Sequence, residues 1–318
     1  MSQTKTKNFH PKNLHNSRYD FEALIKSSPE LEQYVSLNKY GDLSIKFSSN
    51  DAVLALNKAL LKHFYKIEWT LPKKYLCPPI PGRVDYIHYI ADLLTTSNAG
   101  TIPNAKAVVG LDIGVGANCI YPIVGNRSYD WKFIGSEIDD VAIQNAQHII
   151  TSNEMLKNDI QIIAQTSKEY IFKNIINEND SVDFSICNPP FHKSKKDAKE
   201  GSLRKIQNLS KSKNKKVTLN FGGQHNELWC DGGEVAFILQ MIQESVEYQK
   251  NCLWFTTLVS KKENLEAIYK ELEKIKPKQI ETIKMIQGHK QTRFVAWTFY
   301  TKKEQKEWFE NKEKTNEQ

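Results

Sequence analysis

The hydrophobic positions in the first third of the chain recur at helical spacing, three or four residues apart. Between the last two of three such stripes, the segment Tyr75–Arg83 contains three prolines and a glycine. This composition predicts a rigid, extended turn that leads into a helix over Val84–Leu94. Residues 1–100 are therefore predicted to form a helical and loop subdomain. The three stripes consist of Phe21, Leu24 and Ile25; of Ala52, Val53, Leu56, Leu60 and Leu61; and of Tyr86, Ile87, Ile90, Leu93 and Leu94.

From residue 101 onward, short runs of β-branched residues alternate with segments of helical length. That alternation predicts βαβ units and a parallel sheet within residues 101–302. Little more than GHKQTR separates the last two predicted strands, so we expect them to form an antiparallel hairpin. Five parallel strands followed by a hairpin are typical of the seven-stranded, Rossmann-like α/β sheet of class I methyltransferases. The predicted strands lie near Ala107–Ile113, Lys132–Ser136, Ile160–Ala164, Val182–Cys187, Cys252–Leu258, Gln279–Ile286 and Phe294–Tyr300. The predicted helices lie near Ile120–Val124, Asp139–Thr151, Gly233–Tyr248 and Lys261–Lys274.

Positive charge is concentrated in one segment of the chain. The 318 residues carry a net charge of +7, and Lys193–Lys216 alone contributes +8, from ten Lys and Arg residues against Asp197 and Glu200. The segment is rich in Lys, Ser and Asn, a composition that predicts a mobile loop and contacts with phosphates. A plain solvated insertion is the alternative that the segment by itself leaves open.

A second basic segment lies at the N-terminus, where the first 18 residues contain several cations and no acidic residue. We expect Lys7, Lys12 and Arg18 to contact an anionic partner. Residues 303–318 instead balance Lys against Glu, and they are predicted to form a solvated, charged tail.

Cysteine usage and hydropathy narrow the class of protein. The five cysteines are odd in number and none belongs to a C-x-x-C pair, which is typical of reduced thiols in an intracellular protein. The N-terminus lacks the apolar region of a signal peptide, and no window approaches about 18 consecutive apolar residues. We therefore expect a cytoplasmic protein with no membrane partner. His88 and His225 have no metal-ligand spacing with cysteine or acidic residues, so no metal site is expected.

The segment VVGLDIGVGANCIYP combines an apolar strand, a glycine-containing turn and a helix start. The strand ends in Asp112, and Gly114 and Gly116 allow the backbone to approach a ligand and leave N–H groups free at the helix start. Glu137 ends the next predicted strand, 25 residues after Asp112, where an acidic residue binds ribose hydroxyls in nucleoside-binding sheets. The pair indicates a nucleoside-containing ligand. The alternatives are a tight turn without a ligand, and a helix cap formed by an acidic residue after the second strand.

The tetrad Asn188-Pro189-Pro190-Phe191 directly follows an apolar strand. The two prolines fix the chain and remove two N–H donors, which leaves carbonyl acceptors at the end of the strand. Asn188 adds a side-chain carbonyl, and Phe191 adds a flat aromatic face. This set suits an amino group on a planar ring, because two acceptors hold its hydrogens while the aromatic ring stacks on the base. A rigid loop without a ligand is the alternative.

The basic segment begins two residues beyond Phe191. A cationic segment at the edge of a base-binding cavity indicates that the base arrives on a polynucleotide. We expect the phosphate contacts to come from Lys193, Lys195, Lys196 and Lys199.

These segments resemble the bacterial 23S ribosomal RNA adenine-N6 methyltransferase F family and, more distantly, the eukaryotic methyltransferase of U6 small nuclear RNA. The resemblance covers most of the chain. It implies the transfer of one methyl group from S-adenosylmethionine to the N6 amine of a single adenine of 23S rRNA, adenine 1618, in free rRNA or in a large-subunit assembly intermediate. It is carried by HPKNLHNSRYDF, KYGDLSIKF, LCPPIPGRVDYIHYIADLL, LDIGVGANCIYP, GSEIDD, NPPFHKS and FGGQHNELWCDGGE.

The resemblance also implies a set of site residues. The family's catalytic tetrad falls on residues 188–191, and Arg83 is expected to meet the carboxylate of the cofactor. Thr166, after the third strand, is expected near the adenine ring of the cofactor. The implied cofactor contacts are Arg83, Asp112, Gly114, Gly116, Asn118, Glu137 and Thr166.

Two other functions remain open at this point. One is methylation of a glutamine side chain on a protein, which also uses an N-P-P motif, usually followed by Tyr rather than Phe. The other is a catalytically silent RNA-binding protein of ribosome assembly that keeps the fold. Phe191 and the basic segment favour a nucleic-acid base over glutamine, and Asp112, Glu137 and Asn188 argue against a silent protein.

Overall fold

The computed structural model describes residues 9–190, 230–287 and 290–316. The N-terminal part contains helix α1 (Phe21–Ser27), a small antiparallel hairpin of β1 (Val35–Leu37) and β2 (Leu43–Ile45), helix α2 (Asn50–Leu60) and the long helix α3 (Ile80–Ser97). Side chains of the residues that precede α1 and α2 cap these helices, because Asp20 accepts the N–H of Ala23 and Ser49 accepts that of Ala52.

Two details of this part differ from the prediction. Helix α3 begins at Ile80, four residues earlier than expected, with Pro81 in its first turn. Proline is tolerated there because the first N–H groups of a helix have no intrahelical acceptor, so the Pro-rich composition overstated the length of the turn. The hairpin β1–β2 was not predicted, since strands of three residues are too short to show an alternating pattern.

Within the described residues, seven further strands form one mixed sheet in the order β5-β4-β3-β6-β7-β9-β8. The five strands of this sheet that come first in the chain, β3 to β7, pair in parallel. Strand β9 runs antiparallel to both β7 and β8. This arrangement confirms the prediction of a class I methyltransferase fold. The strands are β3 (Val109–Ile113), β4 (Lys132–Glu137), β5 (Ile160–Ala164), β6 (Val182–Cys187), β7 (Cys252–Leu258), β8 (Gln279–Gln287) and β9 (Lys290–Thr298).

Helices cover the sheet and bury two hydrophobic clusters. The first cluster joins the N-terminal helices to the sheet, so the two parts of the chain share one core. The second packs α6 (Gly233–Ser245) and α7 (Leu265–Ile275) against β7 and β9. The other α-helices of the described residues are α4 (Ile120–Tyr129), α5 (Asp140–Thr151) and α8 (Lys302–Asn316). Among the described residues, no helix is long and apolar enough to cross a bilayer.

The expectation of a solvated tail was wrong for helix α8. Phe309 is buried, and Trp308 Nε1 donates to Asp183 Oδ1 at 2.7 Å. Lys312 Nζ lies 2.7 Å from Asp183 Oδ2, and that carboxylate also accepts the N–H of Val109 at 2.6 Å. The balanced charges of the tail hid one apolar and cationic face that docks at the start of β3 and β6.

Candidate active site

A cavity of about 510 Å³ opens at the carboxyl ends of the central strands. The last residues of β3, β4 and β6, which are Ile113, Glu137 and Cys187, all line it. The cavity therefore lies where the strand order reverses between β3 and β6, the position at which open α/β sheets bind ligands.

The turn after β3 forms one wall of the cavity. Gly114 and Gly116 have φ values of +68° and +65°, a left-handed conformation that favours glycine. A Cβ atom built on Gly114 would meet no atom within 4 Å, so a ligand can approach this backbone closely. Asn118 lines the same wall, and its Oδ1 accepts the N–H of Ile120 at 3.1 Å, at the start of α4.

Asp112 is an unsatisfied acid beneath this turn. Its side chain is buried, and its Oδ2 has no hydrogen-bond partner in the described part of the chain. Burial raises the pKa of this carboxyl well above its usual value, while nearby Arg83 lowers it and Glu137 raises it further. A buried acceptor without a partner is ready to receive an N–H donor from a ligand.

Arg83 reaches the cavity from the first turns of α3. Its guanidinium donates to Tyr121 Oη at 2.5 Å and lies 5.4 Å from the centre of that ring. Burial raises the pKa of Tyr121 to about 12, against the opposing effect of Arg83, so the phenol stays neutral and fixes the guanidinium. Arg83 thus lines the cavity from α3, whereas Asp112, the neighbour of the lining residue Ile113 on β3, is buried and is not itself a lining residue.

Glu137 organises three backbone groups around the cavity. Its Oε2 accepts the N–H of Gly116 at 2.9 Å, and its Oε1 accepts those of Ile138 and Asp139 at 2.7 and 3.0 Å. Burial raises the pKa of Glu137, and these three hydrogen bonds act in the opposite direction. The helix cap is a different residue, because Asp139 Oδ1 accepts the N–H of Ala142 at the start of α5.

Asn188 follows β6 and lines the cavity together with Pro189 and Pro190. Its side chain is partly buried, and its Oδ1 is enclosed without a hydrogen-bond partner in the described part of the chain. Phe191, the fourth residue of the tetrad, lies outside the described residues. The structure thus brings an unused amide oxygen to the same cavity as the glycine turn and Glu137.

The cavity is also lined by residues that sequence reasoning missed. Thr166 is exposed and does not line the cavity, whereas its neighbours Gln165 and Ser167 do. Their position directly after β5 is the signal that could have identified them, since strand ends border the cavity. The other unassigned lining residues include Tyr75, Tyr170, Cys230, Asp231, Phe237 and Gln240.

The expected RNA contacts are only partly within the described residues. Lys12 is exposed, with its Nζ 5.7 Å from the ring centre of Tyr129. Arg18 is exposed as well but pairs with Asp42 at 2.7 Å. The other expected contacts, Lys7, Lys193, Lys195, Lys196 and Lys199, lie outside the described residues, as does His225. His88 is a buried structural residue, and its Nδ1 is hydrogen-bonded to Tyr129 Oη at 2.8 Å.

Comparison with known proteins gives one consistent result. The model of a family described as RNA methyltransferase matches residues 3–301. Ribosomal RNA large subunit methyltransferase F of Flavobacterium psychrophilum is 55% identical over 302 residues, which cover 95% of this chain and 96% of that protein. The protein of the same name from Photobacterium profundum is 52% identical, with 97% and 96% covered.

Solved structures agree with these sequence matches. The human METTL16 catalytic domain in complex with MAT2A 3'UTR hairpin 1 superposes with a TM-score of 0.77 at 27% identity, covering 92% of this chain and 96% of that one. The N-terminal domain of human METTL16 in complex with SAH gives a TM-score of 0.73 at 26% identity, covering 92% and 99%.

Proposed function

We propose that this chain, which belongs to the RNA methyltransferase family, methylates the N6 amine of one adenine in 23S rRNA. The ribosomal RNA large subunit methyltransferases F belong with it to that family. The protein is an S-adenosylmethionine-dependent methyltransferase. The observation that carries the proposal is the buried, unpaired Oδ1 of Asn188 at the edge of the cavity. A free RNA or a large-subunit assembly intermediate in the cytoplasm is the proposed partner.

The residues around the cavity fit this cofactor. S-adenosylmethionine supplies an electrophilic methyl group, and it carries a carboxylate, an ammonium group and a ribose. The guanidinium of Arg83 matches the carboxylate in charge, and the unpaired Oδ2 of Asp112 matches the ammonium group. A carboxylate offers about four acceptor positions, so Glu137 keeps acceptor capacity for a ribose hydroxyl beyond its three N–H partners.

The open space beside Gly114 supports the same placement. A side chain there would project where a ligand approaches the turn, and the φ of +68° disfavours any residue other than glycine. We place the methionine part of the cofactor between this turn and Arg83, and its nucleoside beside Glu137.

Asn188 holds the reacting amine. Its Oδ1 would accept one amine hydrogen, and the backbone carbonyl of Pro189, which also lines the cavity, would accept the other. These two acceptors would turn the lone pair of the amine toward the methyl group that S-adenosylmethionine would donate, with S-adenosylhomocysteine as the leaving product and the surplus proton passing to water. Orientation supplies the rate enhancement, so no general base is required.

The names of the relatives favour RNA over a protein glutamine as the substrate. The two relatives are ribosomal RNA methyltransferases by name, and one structural neighbour is bound to an RNA hairpin. The cavity with its glycine turn, acids and Asn188 supports a catalyst rather than a silent assembly protein.

The decisive experiment incubates the protein with methyl-labelled S-adenosylmethionine and total RNA from cells that lack the modification. Nuclease digestion and identification of the labelled nucleoside follow. We expect N6-methyladenosine from the 23S fraction, and parallel reactions with free rRNA and assembling large subunits identify the preferred partner. Label in protein, or in a nucleoside other than N6-methyladenosine, would overturn the proposal.

A further inference from the structure

One face of helix α6 is turned toward the cavity and toward the loop that follows β5. Phe237 and Gln240, three residues apart on this face, both line the cavity. Gln240 Nε2 also donates to the backbone carbonyl of Glu169 at 2.8 Å. The next turn of the same face carries Glu244, which has no role in the proposed reaction.

Glu244 accepts three consecutive backbone N–H groups from this loop. Its Oε2 accepts the N–H of Ile171 at 2.7 Å, and its Oε1 accepts those of Phe172 and Lys173 at 2.9 and 2.8 Å. The side chains of Ile171 and Phe172 are buried, so the first two of these hydrogen bonds lie at the edge of the core, whereas Lys173 is exposed. Hydrogen bonds to an ionised acceptor are of the strong class.

The segment that Glu244 holds forms a wall of the cavity. Gln165, Ser167, Tyr170 and Ile171 line the cavity, and all lie within residues 165–173. The two ends of the segment are joined, because Gln165 Nε2 donates to the carbonyl of Lys173 at 3.0 Å. The loop is thus closed on itself, and the carboxylate of Glu244 fastens it to α6.

We propose that Glu244 is a positioning residue that holds residues 165–173 in the shape needed to bind S-adenosylmethionine. The proposal rests on the cofactor occupying this cavity, as argued above. Glu244 then affects the affinity for the cofactor and not the rate of methyl transfer, although its carboxylate contacts neither the cofactor nor the RNA.

The fold of α6 does not depend on Glu244. The helix is anchored in the second core by Ile238, Met241 and Ile242, all fully buried. At its first turn, Glu234 accepts the N–H of Ser260 at 2.8 Å. Removing Glu244 therefore loosens the loop while the helix stays in place.

The test compares Glu244→Ala, Glu244→Gln and the control Gln243→Ala. Gln243 is the adjacent residue and contacts Glu271 of α7 rather than the loop. We expect Glu244→Ala to raise the Kd for S-adenosylmethionine about tenfold by calorimetry. Glu244→Gln keeps one acceptor oxygen but turns an NH₂ group toward the loop, so its Kd is expected between those of the wild type and Glu244→Ala. Gln243→Ala is expected to bind like the wild type.

Two further measurements separate positioning from a general loss of structure. At saturating cofactor, kcat and the KM for RNA of Glu244→Ala are expected within about twofold of the wild type, so that only the KM for the cofactor rises. Amide hydrogen exchange of residues 171–173 is expected to accelerate in Glu244→Ala and to stay unchanged in Gln243→Ala.

The outcomes distinguish this inference from the proposed function. If both Glu244 variants bind the cofactor like the wild type while Glu137→Ala binds it more weakly, the inference is overturned and the proposed function is left intact. A lower kcat together with higher KM values for both substrates, seen equally in Gln243→Ala, also overturns it, because the effect is then a general loss of structure. If neither Glu137→Ala nor Glu244→Ala alters binding, the cofactor lies elsewhere, and both the inference and the proposed site fail.

Discussion

Replacing Asn188 with alanine is expected to stop methyl transfer while the protein stays folded. The Oδ1 atom has no hydrogen-bond partner in the described part of the chain, so the substitution breaks no hydrogen bond of this oxygen there. An unsatisfied buried acceptor costs about 1–3 kcal/mol, and its removal offsets the packing lost with a partly buried side chain. We therefore expect the free energy of unfolding to fall by less than about 1 kcal/mol.

The effect on the rate follows from the role of the amide oxygen. A positioned polar group that acts in the transition state is worth about 2.7–4 kcal/mol, or a factor of about 100 to 1,000 in kcat. Because Asn188 is proposed to hold the reacting amine and not the cofactor, the Kd for S-adenosylmethionine is expected within about twofold of the wild type.

Single-turnover transfer of a labelled methyl group to RNA measures the rate, and calorimetry measures cofactor binding. Asn188→Asp serves as a second variant, since it keeps an acceptor oxygen of similar reach and is expected to retain more activity than the alanine variant. A kcat for Asn188→Ala within tenfold of the wild type would refute the assignment. An equally large loss of cofactor affinity would instead move Asn188 into the cofactor site.

Three other outcomes are expected. Glu137→Ala should raise the Kd for S-adenosylmethionine about ten- to a hundredfold in calorimetry, because a charged acceptor for a ribose hydroxyl is lost, and equal affinities would place the sugar elsewhere. Neutralising Lys193, Lys195, Lys196 and Lys199 to Gln should weaken RNA binding and reduce the slope of log affinity against log salt by about two units, whereas an unchanged slope would point to the N-terminal arm. Burial, with nearby His10 and Lys12, lowers the pKa of His88 to about 4. The unfolded chain, with a histidine pKa of about 6.5, then binds the extra proton first, so stability should fall as the pH decreases from about 6.5 toward 4, and His88→Gln should flatten that part of the urea-midpoint profile; parallel profiles would contradict this.

The sheet was predictable chiefly from its inner strands, because β3, β6 and β7 are short apolar runs that are almost entirely buried. All seven strands of the main sheet lie close to their predicted positions. The start of α3 was mispredicted because Pro81 breaks helices in their interior but not in their first turn. The docking of α8 was missed because its partner, Asp183, lies more than a hundred residues earlier in the chain.

The positions of several predicted site residues follow from local sequence. Asp112, Gly114, Glu137 and Asn188 stand at strand ends, and topology alone brings strand ends together. Gln165 could have been identified from its place after β5, whereas the contacts of Glu244 are not encoded by any local pattern. The partners of Glu244 are backbone N–H groups more than 70 residues away, and any residue type could supply them.

The position of β9 between β7 and β8 has a consequence for biosynthesis. The strand that completes the sheet is made after its outer neighbour, so during translation β7 remains an open edge until residues 290–298 have emerged and inserted. That edge carries Trp254 and Phe255, both buried in the finished protein. An unpaired, apolar edge strand is a template for aggregation. Premature termination after β7 but before the end of β9 is therefore expected to yield an aggregation-prone chain that requires chaperones or degradation, and not a shortened enzyme of reduced activity.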